Sequence, residues 1–467
     1  MTFSERLQEI RTGFERPFWV ANITEIFERL SYYGIYAALA LYLHEGLHFS
    51  TELTGSLTGI FGFVWILAPF GGAIADRMGF RRALSLAYLV LSVSYFLLGS
   101  IEAPWLAAIR SHLALASLVG CILLLPAFGI SLVKPCVVGT TSRAVKNENV
   151  RSIGFSIYYT MVNIGGFLGP FYASWAHRRL GVENVFRIAA VSVFLMFFVV
   201  LLFFHEPRKA GDAPPPSIAT VARNFCVVVG NYRLVLPVLL IALVLRIGLL
   251  IYPRYAVPWW IWIALLVLVL AGISRFMWFL VLFSGYWVVF WQQYISLPGY
   301  IHGYINSSAD VEIILVTDGL TVICLTLAIN YLTRGIPAFQ AVILGTVITS
   351  VAWVILALRP TIWGAVLSLF VLALGEIIQS PRYYEYISRL APPGQQGTYM
   401  GFAFLPIGIG SLIGGWFGGT LVHHFGEVTH QSERIWWSVT AVGITTAGLL
   451  WIYDKTVGTG GASPAAE

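Results

Sequence analysis

Apolar runs of about 18 residues or more recur along nearly the whole chain between short polar loops, the pattern of helices that cross a hydrocarbon layer of roughly 30 Å. They predict six spans at 17–43, 53–75, 83–101, 113–138, 152–176 and 184–204. Residues 205–217, HEPRKAGDAPPPS, then break the pattern, because the prolines cannot continue a helix and the charges do not stay in lipid. A short amphipathic segment follows at 218–230, then two apolar runs at 234–252 and 257–273. Six more spans are predicted at 276–296, 311–331, 337–358, 362–388, 398–422 and 434–453. The plan is an all-α membrane protein of about 14 transmembrane helices. A six-helix bundle occupies 1–204, a cytoplasmic linker with two inserted helices 205–274, a second six-helix bundle 275–453, and a flexible tail 454–467.

Composition strengthens this reading, since 58% of the 467 residues are hydrophobic and 11% charged, which leaves nothing for a soluble domain. The formal net charge of +6 is spread over short loops without a contiguous basic patch, so no nucleic-acid partner is expected. Lys and Arg concentrate in the loops on the side of the N-terminus. This predicts both termini cytoplasmic and is consistent with an even number of spans, and the chain is expected in the inner (plasma) membrane. Cys121, Cys136, Cys226 and Cys324 have the spacing of neither a disulfide framework nor a zinc site. The nine histidines lack metal-ligand neighbours at helical spacing, so no metal or cofactor is expected.

The loop between the second and third spans reads GGAIADRMGFRR and sets Gly72, Asp76, Arg77, Gly79, Arg81 and Arg82 at a specific spacing. Gly72 permits close helix packing and Gly79 a tight turn, while Asp76 and the arginines can hold one gate conformation through charge-assisted contacts. The motif resembles the signature of the major facilitator superfamily. That resemblance implies two six-helix halves rocking about a central site.

In the first span, Glu25, Glu28, Arg29, Tyr32 and Tyr36 fall within an arc of about 100° at 3.6 residues per turn. Each ionised group at the centre of a membrane helix costs about 2.5 to 3.5 kcal/mol, so this face must meet partners or water. A Glu25–Arg29 ion pair would account for two of the three charges and leave Glu28 over. Lys134, beside Pro135 in the fourth span, either takes Glu25 or Glu28 as its counter-ion or snorkels to water at the near end. In the first case, protonating the carboxylate would release the ammonium, which couples proton binding to a second site. Glu376 stands alone among apolar residues in the tenth major span and needs a cavity and a ligand. A base in the first half and an acid in the second match the two ends of a zwitterion. Asp318 reads either as a second ion-linked carboxylate or as the cap of a helix broken at Gly319. Arg382 and Glu385 read as a gate or surface pair.

ExxER followed by SYYG, the fourth span ending in KP, and FSIYYTMVNIGGFLGP in the fifth resemble the proton-dependent oligopeptide transporter family. YWVVFWQQ, GEIIQSP and SRLAPPGQQGTYMGF extend the resemblance over nearly the whole chain, and the two inserted helices match the family's bacterial members. The resemblance implies proton-driven uptake of di- and tripeptides by alternating access, with protons as the coupling ion. It places Glu25, Glu28, Arg29 and Lys134 in proton coupling and sets Lys134 near the substrate carboxylate. Asn163 and Tyr33 would hydrogen-bond the peptide and Glu376 would receive its amino terminus. Tyr32, Tyr36, Trp65, Tyr159, Trp287 and Ser380 complete the expected substrate-binding set.

Four positions depart from the family. Tyr36 stands where an arginine is usual and Trp291 where an acid is usual, so a charged latch across the halves is missing. Trp65 replaces a tyrosine and Ala403 a tryptophan, which alters the pocket. The partners expected are a small peptide and the lipid bilayer, with the protein monomeric. The other readings are a same-fold transporter of another small amphoteric solute with altered coupling, an exporter, or a nutrient receptor that does not transport. A membrane enzyme would need a nucleophile–base or metal constellation, and the chain presents none.

Overall fold

Each predicted apolar run is helical in the computed structural model, which describes residues 12–146, 151–206, 218–251, 257–391 and 396–457. The expected N-terminal tail, proline-rich linker and C-terminal tail lie largely outside these residues. The first half comprises α1 (Arg16–Leu41), α2 (Thr51–Gly62), α3 (Ala68–Met78), α4 (Phe80–Leu98), α5 (Leu115–Arg143), α6 (Arg151–Leu180) and α7 (Val182–Phe203). A 3-10 turn at Phe63–Leu67 joins α2 to α3, and the two are bent by 51°. Then come α8 (Ile218–Val229), α9 (Tyr232–Ile251) and α10 (Trp259–Gly272). The second half is α11 (Arg275–Phe290), α12 (Val311–Thr333), α13 (Ala338–Leu358), α14 (Ile362–Leu390), α15 (Gln396–Phe402), α16 (Leu405–Leu421) and α17 (Glu433–Thr456).

Among the described residues, eight helices are long and apolar enough to cross a membrane, and the bent α2–α3 pair makes a ninth. The apolar character of α1 is broken by Glu25, Glu28 and Arg29 on its buried face. At 14 residues α10 is about 21 Å long, shorter than a hydrocarbon core of roughly 30 Å. No strand occurs among the described residues.

Helix ends follow local chemistry. Pro17 opens α1, where its missing N–H is no loss. Asp310 caps α12 by accepting from Ile313 N at 3.1 Å, and Thr361 caps α14 through Gly364 N at 3.0 Å. The internal prolines of α5 each free a carbonyl one turn back, and the fold uses both. Ile122 O, freed by Pro126, accepts Ser94 Oγ of α4 at 3.0 Å. Ser131 O, freed by Pro135, lies so close to Gly71 that a Cβ there would be 1.8 Å away. Close packing therefore falls at Gly71 rather than at Gly72, where a Cβ would meet only Pro135 at 3.5 Å.

In lipid, burying apolar side chains between helices brings little hydrophobic gain, so association rests on close backbone approach and polar contacts. Gly165 brings α6 onto α1 next to the charged cluster, since a Cβ there would lie 2.6 Å from both Ile26 O and Arg29 Cβ. Gly415 does the same between the halves: a Cβ would lie 2.4 Å from Gly55 O, which seats α16 on α2. The second crossing between the halves joins α6 to α12, where Gly319 meets the Phe167 backbone. Since α12 runs unbroken through Asp318 and Gly319, Asp318 does not cap a helix break.

Candidate functional site

The polar arc of α1 faces inward and is sealed: Glu25 and Glu28 are 0% exposed, Arg29 1% and Lys134 6%. Lys134 Nζ pairs with Glu25 Oε1 and also donates to Tyr158 Oη at 3.2 Å, so it does not snorkel. Arg29 pairs with Glu28 and keeps a longer contact of 3.5 Å to Glu25 Oε1. The four groups sum to zero charge when ionised and form one chain, Lys134–Glu25–Arg29–Glu28. Both cations also lie against π faces, with Arg29 4.9 Å from the Tyr32 ring and 5.4 Å from Trp65, and Lys134 5.9 Å from Trp65. Trp65 Nε1 donates to Tyr32 Oη at 3.3 Å. Glu25 Oε2 and Glu28 Oε1 remain buried without a hydrogen bond.

Across the seam, Glu376 is partly buried on α14 and has no hydrogen bond or ion pair with the described residues. Tyr33 of α1 and Tyr159 of α6 come within electrostatic reach of it from the other half. Trp287 is almost fully buried, with its indole N–H unpartnered. Ser380 receives Gln379 Nε2 at 3.0 Å. Asn163 is held to its own helix by Nδ2 donating to Tyr159 O at 2.8 Å, and no contact brings it to Lys134. The expected substrate set is thus divided: Lys134, Tyr32 and Trp65 border the charged chain, while Tyr33, Tyr159 and Glu376 gather opposite.

Tyr36 belongs to neither group. It is fully buried, stacks on Tyr294 at 4.8 Å, leans on Trp291 at 4.9 Å and shares a 3.0 Å hydrogen bond with Ser411 Oγ. In this conformation Tyr36 is part of the seal between the halves rather than the wall of a binding pocket. The missing charged latch is replaced by an aromatic one.

Beyond that seal, at the end remote from the chain termini, polar contacts tie the halves together. His177 Nδ1 meets Glu312 Oε1 at 2.6 Å, and Asp310 Oδ2 accepts Ser174 Oγ at 2.6 Å and Arg178 Nη1 at 3.2 Å. In the turns beyond α1 and α11, His302 Nδ1 lies 2.6 Å from Glu45 Oε1 while its Nε2 lies 3.0 Å from Ala309 O. Both ring nitrogens face acceptors, which only the imidazolium satisfies. None of these pairs was legible in the sequence, which gives no signal for partners more than a hundred residues apart in turns and helix ends.

The Glu45 carboxylate raises the His302 pKa, and the His302 hydrogen bond lowers that of Glu45. A raised histidine contributes fully below its ordinary value and loses its contribution as pH rises through the raised value. A lowered carboxylate contributes above its ordinary range and loses its contribution as pH falls through the lowered value. The pair therefore favours closure between those limits. With Glu45 48% exposed it is worth less than about 1 kcal/mol. Spin labels at Arg179→Cys and Ser307→Cys, with the native cysteines replaced, are expected to report a growing long-distance population on alkalinisation, and a smaller rise in His302→Gln. An equal rise in both would show that the pair does not hold this end.

The superfamily motif braces the first half internally. Asp76 Oδ1 accepts Arg143 Nη2 at 3.2 Å, tying α3 to α5, and Gly79 takes φ +82° at the α3–α4 turn. Glu206, which sequence reasoning passed over, accepts Phe80 N at 2.9 Å and Arg81 N at 3.3 Å at the start of α4. Arg81 Nη2 donates to Leu201 O of α7, whereas Arg77 is exposed. Arg382 and Glu385 pair at 2.7 Å within α14 and do not bridge the halves. No group of three potential metal ligands occurs among the described residues.

Two helical bundles meeting along a polar seam, with buried charge in each half and closure at one end, define a membrane transporter of the alternating-access class. The family model of the Major Facilitator Superfamily matches residues 22–301, and the chain belongs to that superfamily. Among curated proteins it is similar to dipeptide and tripeptide permease B of Photorhabdus asymbiotica, 28% identical over 202 residues that cover 43% of this chain and 39% of the permease. It is also similar to the peptide transporter YePEPT of Yersinia enterocolitica, 27% identical over 215 residues that cover 44% and 40% of the two chains. The matched stretch thus spans only about two fifths of these relatives' length. Among solved structures, the POT family transporter PepTSo superposes with a TM-score of 0.73 at 18% identity, covering 95% of this chain and 98% of the other. A POT family transporter in complex with a thioalcohol-conjugated peptide gives 0.72 at 18% identity, covering 94% and 96%. These neighbours share the fold, and family and fold are those of transporters rather than enzymes.

Proposed function

We propose that the protein is a proton-coupled symporter that takes up di- and tripeptides, working as a monomer in the inner membrane with both termini in the cytoplasm. The observations that carry the proposal are the buried Lys134–Glu25 pair in the first half and, in the second, Glu376, which has no ion pair with the described residues. Lys134 can accept a substrate carboxylate only if Glu25 gives it up. A buried Glu25 left without its ammonium is costly, by several kcal/mol on the scale of broken buried pairs, about 3 to 5. Protonating Glu25 removes that cost, so proton and carboxylate enter together. The peptide ammonium then neutralises Glu376, and the loaded site returns to zero net charge from these groups. The names of the relatives, peptide permeases and transporters, support the same substrate class. In this reading the end closed by His302–Glu45 and His177–Glu312 is the external one, and protons are the coupling ion, with no cofactor required.

The test is uptake of labelled dialanine into proteoliposomes under an inward proton gradient. Accumulation that collapses with a protonophore supports the proposal. Transport of another amphoteric solute in place of dialanine would reject the peptide assignment. Dialanine uptake indifferent to the gradient would reject the coupling.

A further inference from the structure

Asp318 is a charge within a membrane-spanning helix that the proposed cycle leaves unused. It lies on α12, 7% exposed, with Oδ1 buried and without a hydrogen bond. The side chain acting on it directly is Gln293, itself fully buried with neither Oε1 nor Nε2 in hydrogen-bonding geometry with the protein. The titratable groups around it from the packed elements are Glu376 of α14, Tyr33 of α1, Tyr159 of α6, Tyr286 of α11, and Tyr294 beyond it. All are acids or phenols, and among the described residues no Lys, Arg or His joins them. Glu376 is assigned to the peptide ammonium and cannot also share it with a second buried carboxylate at no cost. An ionised Asp318 with no counter-ion at this depth would cost several kcal/mol, so the closed arrangement accommodates its neutral form. The adjacent residue, Gly319, forms the backbone contact with Phe167 where α12 and α6 close the seam. Parting that seam brings water to Asp318, and closing it removes the water again.

We propose that Asp318 is a second proton-binding site of the transport cycle, located in the C-terminal half at the α6–α12 seam, and that holding its proton favours closure of the end remote from the termini. The step is –COO⁻ + H⁺ → –COOH on Asp318 while the seam is open to water, sealed when the seam closes and reversed when water returns from the other side. The transport part rests on the symport reading above; the conformational part does not.

Two measurements on the full chain keep the readings separable. The first is the charge moved per zwitterionic dialanine in proteoliposomes. Wild type is expected to carry one elementary charge more than Asp318→Asn, with uptake retained in the variant and wild-type charge restored by Asp318→Glu. The same charge per dialanine in wild type and Asp318→Asn would overturn the coupling role. The second is the distance between labels at positions 179 and 307 across pH, which needs no substrate. Asp318→Asn, which cannot ionise, is expected to open less than wild type at alkaline pH, keeping only the opening that comes from the His302–Glu45 pair. The His302–Glu45 pair is common to both proteins, so the difference reports Asp318. Coincident distance distributions at every pH would overturn the proposal even if dialanine proved not to be a substrate. If Asp318→Asn does not fold, a shift in the pH midpoint of opening between wild type and Asp318→Glu bears the proposal out, and coincident midpoints overturn it.

Discussion

Lys134→Ala is expected to abolish gradient-driven dialanine uptake and to destabilise the protein by about 3 to 5 kcal/mol, the range for removing one partner of a buried ion pair. The reason lies in the charge chain. Without Lys134, two fully buried carboxylates, Glu25 and Glu28, share Arg29, which already pairs with Glu28. The 3.5 Å contact from Arg29 Nε to Glu25 cannot replace the lost ammonium. A second variant separates structure from coupling. Lys134→Ala combined with Glu25→Gln leaves the neutral Arg29–Glu28 pair, so thermal unfolding in detergent should return most of the way to wild type. Uptake should stay absent, because the proton site and the carboxylate site are then both gone. Dialanine accumulation by the single variant with an unchanged pH profile would remove Lys134 from the coupling scheme.

Glu376→Gln is expected to act on affinity rather than on folding. Glu376 is partly exposed and bears no ion pair with the described residues, so neutralising it orphans no partner among them. The loss should appear as a rise in the KM for dialanine. Truncating one side of a desolvated charge pair costs about 2 to 5 kcal/mol, roughly thirty- to several-thousandfold. N-acetyl-dialanine, which lacks the ammonium, supplies the control: wild type should bind it weakly, and Glu376→Gln should bind it no worse. A variant that weakens both ligands equally would place the peptide ammonium elsewhere.

The fold was largely legible because lipid imposes a constraint that one sequence displays openly. Backbone groups in hydrocarbon must bond within their own segment, so apolar runs of the right length can only be helices. The same constraint singled out Glu25, Glu28, Arg29, Lys134, Asp318 and Glu376, since a charge in such a run must face something other than lipid. Other features needed the third dimension. Pro135 announced a freed carbonyl, but nothing nearby in sequence said that the Gly71 backbone would come to rest against Ser131 O. The substitutions at Tyr36 and Trp291 read as a lost latch, and only their stacking with Tyr294 and the hydrogen bond to Ser411 show the aromatic seal that replaces it.

By itself, then, the sequence determined the helices, the halves and the identity of the costly charges, because each follows from local composition and the properties of a bilayer. Tertiary structure alone decided the pairing: Lys134 with Glu25 rather than Glu28, His302 with Glu45, and Asp318 with no cation among the described residues. Pairing depends on helix rotation and crossing to within an ångström or two, set by close contacts such as Gly165 on α1 and Gly415 on α2, and helical periodicity does not carry that information.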